Sequence, residues 1–537
     1  MSSIRAPFLG PIVGHTTATS CRLWIRAGDP GDAGSALSED RRTIGVATLL
    51  GPNRKPVMGD ARYTVYFRLH REYDRTGVVL WGVEGKPGPK DSQQLVLTPD
   101  TAYTVRMGTL AVDDPLSNDE TVSDKYLQDR LPPATAWTQD LFDLPAEHSE
   151  ATFRTFPEIS DTLSFMLGSC HYPGLFWKKK LSDRIFAPMI EQMRKGRFGQ
   201  KPRFSLMVGD QIYADMLNRA IPIGLADTFE EFQQRYHEAY SSPNLRKLMN
   251  TLPTYMILDD HEIEDNWTQD RIRDREKRVL FNLAIGAYMS YQWSHGPRNY
   301  DGRLFYSFNS GGYPFFVLDQ RTQRYRDDES GMLDNHLLGR PAQDPVNEPS
   351  QLDLLCRWLE GLKDDPRPKF IVSPTVFAPN PVITTRSDIQ KESSDAWPAF
   401  PQTRRRLLSH ILNHNIQNVV FLSGDIHCSN VSRITFDGGD AARRLKAFSI
   451  VSSAFYWPFW FADGEPSNYV HDSVKENDTF VIDDAAGLTM DYTTSHFTQK
   501  DNFCRIDLDW PSRRLEARFF GYDGEELTRP AVLELAG

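Results

Sequence analysis

The feature that most constrains this chain is a run of acidic and imidazole side chains directly after a mostly apolar stretch. Residues 254–258 predict a buried strand, and Asp259-Asp260-His261-Glu262 comes next. Like charges at one strand end repel each other, and each loses its hydration when it is buried. A bound cation is the usual compensation, and oxygen ligands with one imidazole suit a hard or borderline metal ion. The alternative is a solvated acidic loop.

Three more apolar stretches end in the same way, each followed by side chains that can bind a metal ion. They are Phe204–Val208 before Gly209-Asp210, with Tyr213 just beyond; Val419–Leu422 before Ser423-Gly424-Asp425, with His427 two residues later; and Leu163–Leu167 before Gly168-Ser169-Cys170. In an open α/β sheet, ligands bind beyond the carboxyl ends of the strands, where loops from several strands meet. Four such strand ends therefore predict one composite metal site.

Length and composition limit the class of protein. The chain has 537 residues, 40% of them hydrophobic, which is enough for a sizeable core and for about two to four domains. The formal net charge of −11 argues against general affinity for nucleic acid or anionic lipid. Five scattered cysteines without a CxxC pair are not a disulfide framework and suit a reducing compartment.

The N-terminus shows neither the apolar segment of a signal peptide nor a twin arginine. No apolar run approaches the length of a membrane span. We therefore expect a cytoplasmic protein without a membrane span. The sequence carries no indication of the oligomeric state.

Residues 1–157 are expected to form an all-β domain. The segment Thr19–Arg26 places Cys21, Leu23 and Ile25 on one face of a strand, and Arg22, Trp24 and Arg26 on the other, which is the pattern of a half-buried strand. Further short strands are predicted at 45–50, 62–70, 77–83, 101–110 and 151–156. Several short strands with regular turns predict an immunoglobulin- or fibronectin-like β-sandwich. Residues 112–150 are polar and are predicted to be an insertion or interdomain segment.

Residues 158–537 are expected to form a mixed α/β domain in which sheet and helix layers alternate, because apolar strands now alternate with longer amphipathic segments. Helices are predicted at 181–195, 228–249, 274–293, 352–362 and 403–412, and strands at 370–372, 419–422, 446–452, 502–509 and 514–520, with a hairpin at 304–318. The acidic segment 473–484 is predicted to be a surface loop.

The potential ligands at the four strand ends are too many for one ion, so we expect two or more metal ions. They are the carboxylates of Asp210, Asp259 and Asp425, the amide of Asn266, the imidazoles of His261 and His427, the thiol of Cys170 and the phenol of Tyr213. Two ions about 3.5–4 Å apart can share a carboxylate and clamp a phosphoryl group. Asp210 suits a bridging position because Gly209 lets the backbone turn closely behind it.

Cys170 and Tyr213 are the informative residues for metal identity. A phenolate together with a thiolate favours a transition metal of high charge over an alkaline-earth ion. The alternatives are a buried cysteine that packs as a small apolar side chain and a packed tyrosine whose hydroxyl is satisfied.

These motifs resemble those of the PhoD-like alkaline phosphatases, a branch of the calcineurin-like metallophosphoesterases. The matching elements are Gly168-Ser-Cys170, Gly209-Asp210-Gln-Ile-Tyr213, Asp259-Asp260-His261-Glu262 with Asn266, Leu318-Asp319-Gln-Arg321, the segment Trp397–Arg404, and Ser423-Gly-Asp425-Ile-His427. The resemblance covers nearly the whole chain, including the N-terminal strands. It implies a metallophosphatase-like arrangement of sheets and helices in residues 158–537. The family motif is often closed by Asn-Asn, whereas here Asp265 precedes Asn266.

The resemblance also implies a metal content of one Fe³⁺ with one or more Ca²⁺ ions. By this analogy Cys170, Asp210 and Tyr213 hold the iron, and Asp210 bridges to calcium. The cluster would be completed by Asp259, Asn266, Asp425 and His427. Because cytosolic calcium is scarce, Mn²⁺, Mg²⁺ or Zn²⁺ are the alternatives at the calcium positions.

The expected activity is hydrolysis of a small-molecule phosphate monoester or diester, with a metal-bound hydroxide attacking phosphorus in line. Arg321 and His261 are the candidates for phosphate contact or proton transfer. Their alternatives are an ion pair between Arg321 and Asp319, and support of a metal ligand by His261. Two other functions stay open: hydrolysis of non-phosphate esters, and a non-catalytic binding protein with a structural metal site.

Overall fold

The structure is a computed structural model of the chain. It describes residues 4–28, 42–85, 94–112, 114–119, 121–173, 179–215, 225–327, 334–380, 395–459 and 470–537. The chain forms two compact units. The N-terminal unit contains residues 1–158 together with 236–255 and 286–296, and the C-terminal unit contains the remainder. The division into functional domains at residues 157 and 158 stays a prediction.

The N-terminal unit is built mainly from short strands. In chain order its described elements before residue 159 are β1 (Ile4–Arg5), β2 (Leu9–Thr16), β3 (Ser20–Arg26), β4 (Thr43–Leu49), β5 (Thr64–Arg68), β6 (Thr76–Gly82), β7 (Ala102–Ala111), α1 (Asp124–Gln128), α2 (Thr138–Asp143), α3 (Ala146–Ser149) and β8 (Glu150–Arg154). One antiparallel sheet has the order β1-β7-β4-β5, with β8 paired to β7, and the other has the order β2-β3-β6. Both sheets contribute to one hydrophobic core, which contains Leu23 and Val79 from one sheet and Val105 and Met107 from the other.

The prediction that β3 has one buried and one solvated face is correct for the buried face only. Cys21, Leu23 and Ile25 lie in the core, as expected. The opposite face is not solvated, because Trp24 and Arg26 are also buried. The indole of Trp24 donates a hydrogen bond to the carbonyl of Ser290 (2.8 Å), so a segment from far along the chain covers this face.

Residues 112–150 are more than an insertion. They contain α1 to α3, and Trp137 and Leu141 pack against Ile4, Val46 and Leu110 in a second apolar cluster. These helices have only four to six residues each, which is too short to show a helical period among the polar residues that separate them.

From residue 159 onward the described part of the chain contains helices and strands interspersed with each other. In chain order they are β9 (Thr162–Gly168), α4 (Lys179–Ser182), α5 (Phe186–Gln192), β10 (Ser205–Met207), α6 (Phe229–Tyr240), α7 (Pro243–Met249), β11 (Thr254–Met256), α8 (Arg275–Tyr291), β12 (Tyr306–Ser310), β13 (Tyr313–Val317), β14 (Tyr325–Arg326), β15 (Asn335–His336), α9 (Gln351–Glu360), β16 (Lys369–Ser373), α10 (Pro401–Asn413), β17 (Val419–Ser423), β18 (Ser429–Asp437), α11 (Asp440–Arg444), β19 (Ala447–Val451), α12 (Ser473–Glu476), β20 (Phe480–Asp483), β21 (Leu488–Thr498), β22 (Asn502–Asp509), β23 (Arg514–Gly521) and β24 (Ala531–Glu534). The predicted mixed α/β class is confirmed.

Two large mixed sheets organise the C-terminal unit. Their strand orders are β11-β10-β9-β22-β23-β24 and β12-β13-β16-β17-β19-β18-β21-β20. Aromatic rings join the two sheets: the ring of Phe165 on β9 lies 5.5 Å from Phe315 on β13 and 5.6 Å from Phe370 on β16. On its other face the eight-stranded sheet packs against α9 and α10 through a cluster that includes Leu355, Leu407 and Phe421. Both sheets are therefore buried by apolar contacts.

Proline explains where two predicted helices break. Residues 228–249 form α6 and α7 instead of one helix, because Pro243 begins α7 and cannot continue a preceding helix. Residues 181–195 form α4 and α5, and Pro188 lies in the first turn of α5, where its missing N–H has no partner to lose.

The predicted surface loop at 473–484 is wrong, because it contains α12 and β20, which pairs with β21. No helix in the described ranges is long and apolar enough to cross a membrane.

Candidate metal centre

The ends of β9 and β10 bring two of the sequence-predicted ligands into contact. These strands are parallel neighbours, and the backbone N–H of Cys170 donates to the carbonyl of Gly209. The sulfur of Cys170 lies 3.3 Å from Oδ2 of Asp210 and 3.6 Å from the carbonyl oxygen of Asp425 beyond β17. Residues from three separate strand ends thus meet at one point of the C-terminal unit.

Four carboxylates form the centre of this meeting point. Asp210, Asp259, Asp260 and Asp425 each offer one oxygen, and these oxygens all lie within 4.8 Å of one another. Asp210 and Asp260 form a second group of the same dimension with His261. We call these residues together the strand-end cluster. Asp210 and Asp260 both belong to the two groups, which is the placement that a bridging ligand requires.

The backbone is strained at five of the seven predicted ligands. Cys170, Asp210, Asn266, Asp425 and His427 have φ values of +56°, +54°, +53°, +76° and +49°. Residues other than glycine reach this left-handed region at a cost of about 1–3 kcal/mol each, and such residues concentrate at functional sites. The surrounding packing therefore holds the backbone at these residues in a conformation that is unfavourable by itself.

Gly209 allows two strand ends to approach each other. Its φ is +101°, and a Cβ built there would lie 2.4 Å from Cβ of Asp259. Real side chains do not tolerate so short a distance. Gly209 thus permits a close turn before Asp210, as the sequence predicts. The space that a side chain would occupy there is filled by Asp259.

Glu262 holds the loops after β10 and β11 together, and its carboxylate oxygens are used in hydrogen bonds to their backbone. Its buried carboxylate accepts the backbone N–H groups of Asp210 (3.2 Å), Gln211 (2.6 Å) and Asp259 (2.9 Å). Charged acceptors make the stronger class of hydrogen bond. One side chain therefore ties the loop after β10 to the loop after β11.

Burial makes the charges of this cluster costly. It raises the pKa of Asp210 well above its ordinary value, and the neighbouring charge of Asp259 raises it further. Burial likewise raises the pKa of Asp425 to about 8 and that of Asp259 to about 6. For Asp260 burial also acts upward, but the charges of Arg321 and His261 outweigh it and lower the pKa.

The donor set fits a hard or borderline cation. Oδ2 of Asp259 is buried and has no hydrogen-bond partner within the described residues. A buried carboxylate oxygen without a partner is expensive, and a metal ion is one of the few groups that can satisfy several of them at once. Imidazole, thiol and phenol groups at the edge of the cluster extend this set toward transition metals.

Arg321 is fully buried among the acids. Its Nε donates to Oδ1 of Asp259 (2.5 Å), and one terminal nitrogen lies 2.7 Å from Oδ2 of Asp395 and 3.3 Å from Oδ1 of Asp260. The side chain does not use Asp319 as its ion-pair partner, since only the backbone N–H of Arg321 donates to that carboxylate.

Two residues beside Arg321 were not among the candidates predicted from the sequence. Arg324 is also fully buried and pairs with Asp395, which therefore bridges two guanidinium groups. The three-residue spacing of the arginines just after β13 is a signal that could have identified Arg324. Asp395 follows a stretch without periodicity, so its sequence offers no comparable signal.

His261, Tyr213 and His427 form an aromatic edge to the cluster. Nδ1 of His261 lies 2.7 Å from Oδ1 of Asp215, and its ring stacks on Tyr213 at 4.3 Å. The hydroxyl of Tyr213 lies 3.3 Å from Nε2 of His427. Burial lowers the pKa of His261, but the charges of Asp215 and neighbouring acids outweigh it and raise the pKa well above its ordinary value. Asp215 thus fixes the orientation of this imidazole.

The aromatic run 455–461 divides between core and site. Phe455 is fully buried, whereas Trp457 is half-buried and stacks on His427 with ring centroids 3.9 Å apart. Phe455 therefore packs in the core, whereas Trp457 also contacts a predicted ligand of the site. Residues 460 and 461 lie outside the described residues.

Asn266 reaches the cluster through its backbone. Its N–H donates to Oδ2 of Asp260 (2.6 Å), while its exposed side-chain amide donates to Asp265 (2.9 Å). Asp265, the residue that departs from the family motif, donates its own N–H to Asp215 (2.7 Å). The assignment of Asn266 as a metal ligand stays a prediction.

Comparison with known proteins gives consistent results. A sequence model described as "PhoD-like phosphatase" matches residues 179–518. Alkaline phosphatase D of Bacillus subtilis (strain 168) is 29% identical over 225 residues, which cover 39% of this chain and 37% of that protein. The chain thus matches little more than a third of the length of this curated relative.

A solved structure described as "Structure of PhoD" has the same fold. It aligns with 98% of this chain and 89% of its own chain, with a TM-score of 0.60 and 16% sequence identity. The family match includes all the predicted ligands except Cys170, and it spans more than half of the 537 residues. This chain therefore belongs to the PhoD-like phosphatase family.

Proposed function

We propose that this chain hydrolyses phosphate esters with metal ions held by the strand-end cluster. The observation that carries the proposal is the convergence of four carboxylates, three of them buried and that of Asp425 partly exposed, whose oxygens lie within 4.8 Å of one another. Such a group of like charges is stable only when cations compensate it. Metal ions bound there would activate water and neutralise the negative charge of a phosphoryl group.

The cluster offers two kinds of ligand, and we assign them to two kinds of ion. Fe³⁺ would be held by Cys170, Asp210 and Tyr213, which include the thiol and the phenol. Asp210 would bridge to Ca²⁺, or to Mn²⁺, Mg²⁺ or Zn²⁺ as alternatives. The cluster would be completed by Asp259, Asn266, Asp425 and His427. The contact between Cys170 and Asp210 supports the first set.

His261 and Arg321 have different access to a substrate. The side chain of His261 is 17% exposed and is held by Asp215, so it can meet a bound phosphate ester and protonate the leaving alkoxide. Arg321 has no exposed surface and donates to Asp259. In this proposal it positions that carboxylate and contributes a fixed positive charge beside the phosphate.

The expected substrate is a small phosphate monoester or diester. Trp457 beside His427, with Tyr213 behind it, gives the site a flat apolar wall on one side. Such a wall suits the organic part of the ester, while the cations hold the phosphate.

We also propose the domain types that accompany this function. The two antiparallel sheets with a common core support an immunoglobulin- or fibronectin-like β-sandwich at residues 1–157. The paired mixed sheets with α9 and α10 outside support a metallophosphatase-like catalytic domain at residues 158–537.

A panel of esters tests the proposed reaction. Wild-type protein is assayed with nitrophenyl phosphate, bis(nitrophenyl) phosphate and nitrophenyl acetate, beside Asp425→Asn and the exposed loop control Asp364→Asn. We expect hydrolysis of a phosphate ester, and a loss of at least about 100-fold in Asp425→Asn only, since even residues that merely support a metal ligand cost up to roughly 100-fold. Preferred cleavage of the acetate, or no cleavage at all, would contradict the proposal.

The iron assignment has its own test. A visible charge-transfer band with stoichiometric iron is expected from a ferric ion bound to phenolate or thiolate. Tyr213→Phe should remove or shift the band and keep the fold, because the stacked ring remains. Tyr172→Phe is the matched control, since its ring lies 5.0 Å from Tyr213 in the same aromatic cluster. A colourless protein that carries other metals would remove the iron assignment.

A further inference from the structure

A second group of metal-type ligands lies where α9 and α10 end. Glu360 is the last residue of α9, His410 lies in the last turn of α10, and His414 caps α10. One ligand atom from each of the three side chains lies within 4.8 Å of the other two. None of these residues belongs to the strand-end cluster.

The two imidazoles are arranged for joint coordination. They are four residues apart along the helix, so they project from the same face, and their ring centroids lie 4.2 Å apart. Nδ1 of His414 lies 3.0 Å from the carbonyl of His410, and donation to it leaves the lone pair on Nε2. That Nε2 lies 3.7 Å from Oε1 of Glu360. A backbone hydrogen bond that fixes the tautomer is the usual support of a metal-binding histidine.

His410 supplies a further observation at this site. Its Nε2 is buried and makes no hydrogen bond of ordinary geometry within the described residues. Burial lowers the pKa of the ring, although the backbone of Cys356 lies close enough to act in the opposite direction. A buried polar atom without a partner costs free energy, and its presence in a folded protein calls for an explanation. An ion placed between the two imidazoles would satisfy this nitrogen.

Negative charge at the helix ends favours a cation here, and the nearby charge of Arg406 opposes it. Both α9 and α10 end here, and the C-terminal end of a helix carries partial negative charge. Glu360 adds a full negative charge. A cavity of about 520 Å³ beside His410, lined also by Cys356 and Arg406, leaves room for the water molecules of an incompletely coordinated ion.

We propose that Glu360, His410 and His414 bind one divalent transition-metal ion of the zinc class. Two imidazoles and one carboxylate are a zinc ligand set, with the fourth position open to water. The ion would link the C-terminal ends of α9 and α10, which pack on the outer face of the eight-stranded sheet. The ion would lie apart from the proposed hydrolysis.

Zinc uptake by the metal-loaded protein tests the site. The purified holoprotein is dialysed against Zn²⁺ at fixed pH, and its zinc content is measured for wild type, His410→Gln, His414→Gln, Glu360→Gln and the exposed histidine control His148→Gln. We expect wild type and the control to bind one zinc more per chain than the two histidine variants. Each histidine variant should bind at least tenfold more weakly, and hydrolysis of nitrophenyl phosphate should not change.

Equal zinc uptake by wild type and the folded histidine variants would overturn the proposal and leave a surface histidine–glutamate pair. His414 and Glu360 lie at the protein surface, so at least these variants should fold. Anomalous diffraction from zinc-soaked crystals gives a second answer, with a peak expected between Nε2 of His410 and Nε2 of His414. Neither measurement depends on hydrolysis, so the failure of one proposal does not imply failure of the other.

Discussion

The close packing at Gly209 shows how one residue decides whether two strand ends can meet. Any side chain there would occupy the space that Asp259 fills, with only 2.4 Å between the two Cβ atoms. The sequence indicates a turn at this glycine because it precedes Asp210. It does not indicate which neighbour uses the space, since the approach of β11 to β10 is a tertiary contact.

Gly209→Ala should therefore separate Asp259 from Asp210. We expect hydrolysis of nitrophenyl phosphate to fall by roughly 100-fold, the loss that a displacement of about 1 Å can cause. Bound metal should fall with it. The assay is initial rate and metal content on the same sample.

Gly59→Ala is the matched control for backbone strain. Gly59 has a similar φ of +94°, but an added Cβ there would meet no atom within 4 Å. It should lose some stability and keep full activity and metal. If Gly209→Ala behaved like Gly59→Ala, the packing between Gly209 and Asp259 would not matter for the site.

Glu262 marks the limit of sequence analysis at the level of single residues. The acidic run correctly indicates that a carboxylate lies beside the cluster. Its use as an acceptor for three backbone N–H groups depends on two loops that are distant in sequence, at Asp210 and Asp259. Motifs thus indicate which residues lie together in the site. Tertiary contacts are needed to tell the candidate metal ligands from the residues that hold the loops in place.

Among the helices and strands, those with a strongly periodic sequence were predicted best. The strands at 502–509 and 514–521 and the helices α8, α9 and α10 lie close to their predicted bounds. The long antiparallel pair β18 and β21 was not predicted. Its strands are rich in serine, threonine and aspartate, and each is stabilised by pairing with a strand about 60 residues away. Local patterns do not encode such pairing.

A buried ion pair links elements of the N-terminal unit that the sequence does not connect. Asp74 accepts from Arg26 on β3 (2.7 Å) and lies 2.7 Å from Nε2 of His237 on α6. Burial raises the pKa of Asp74, but hydrogen bonds from His237 and Arg26 outweigh it and hold the pKa at about 2. The ionised carboxylate is therefore stabilised by the folded state.

The sign of the resulting pH dependence follows directly. The folded pKa of about 2 lies below the ordinary value of 3.8, so this contribution to stability is complete above about pH 4 and is lost as pH falls toward 2. Asp74→Asn should lower the free energy of unfolding by about 3 kcal/mol at neutral pH, because it leaves the charge of Arg26 buried without its partner. Urea unfolding between pH 7 and pH 2 measures both effects.

Asp60→Asn is the control for this prediction, because the pair between Asp60 and Arg62 is largely exposed. Exposed pairs contribute little to stability. If Asp74→Asn lost stability below pH 4 as steeply as wild type does, the carboxylate of Asp74 would not be the source of the acid sensitivity.

At the level of the whole molecule, the candidate site combines residues from Cys170 to His427. The meeting of Cys170 and Asp210 was predictable from sequence, because they follow neighbouring parallel strands whose carboxyl ends share one edge. Asp425 follows β17 in the other sheet, so its approach depends on how the two sheets pack. The segments 236–255 and 286–296, which join the N-terminal unit, were not predictable in this way.

The central claim is that hydrolysis depends on metal ions held by the strand-end cluster. The most direct measurement is the rate of nitrophenyl phosphate hydrolysis before chelation, after chelation and after metal is restored, with elemental analysis of each sample. We expect activity to disappear with the metal and to return with it, and folded Asp210→Asn to regain neither. Full activity in a metal-free sample of folded wild-type protein would show that hydrolysis does not depend on these metal ions.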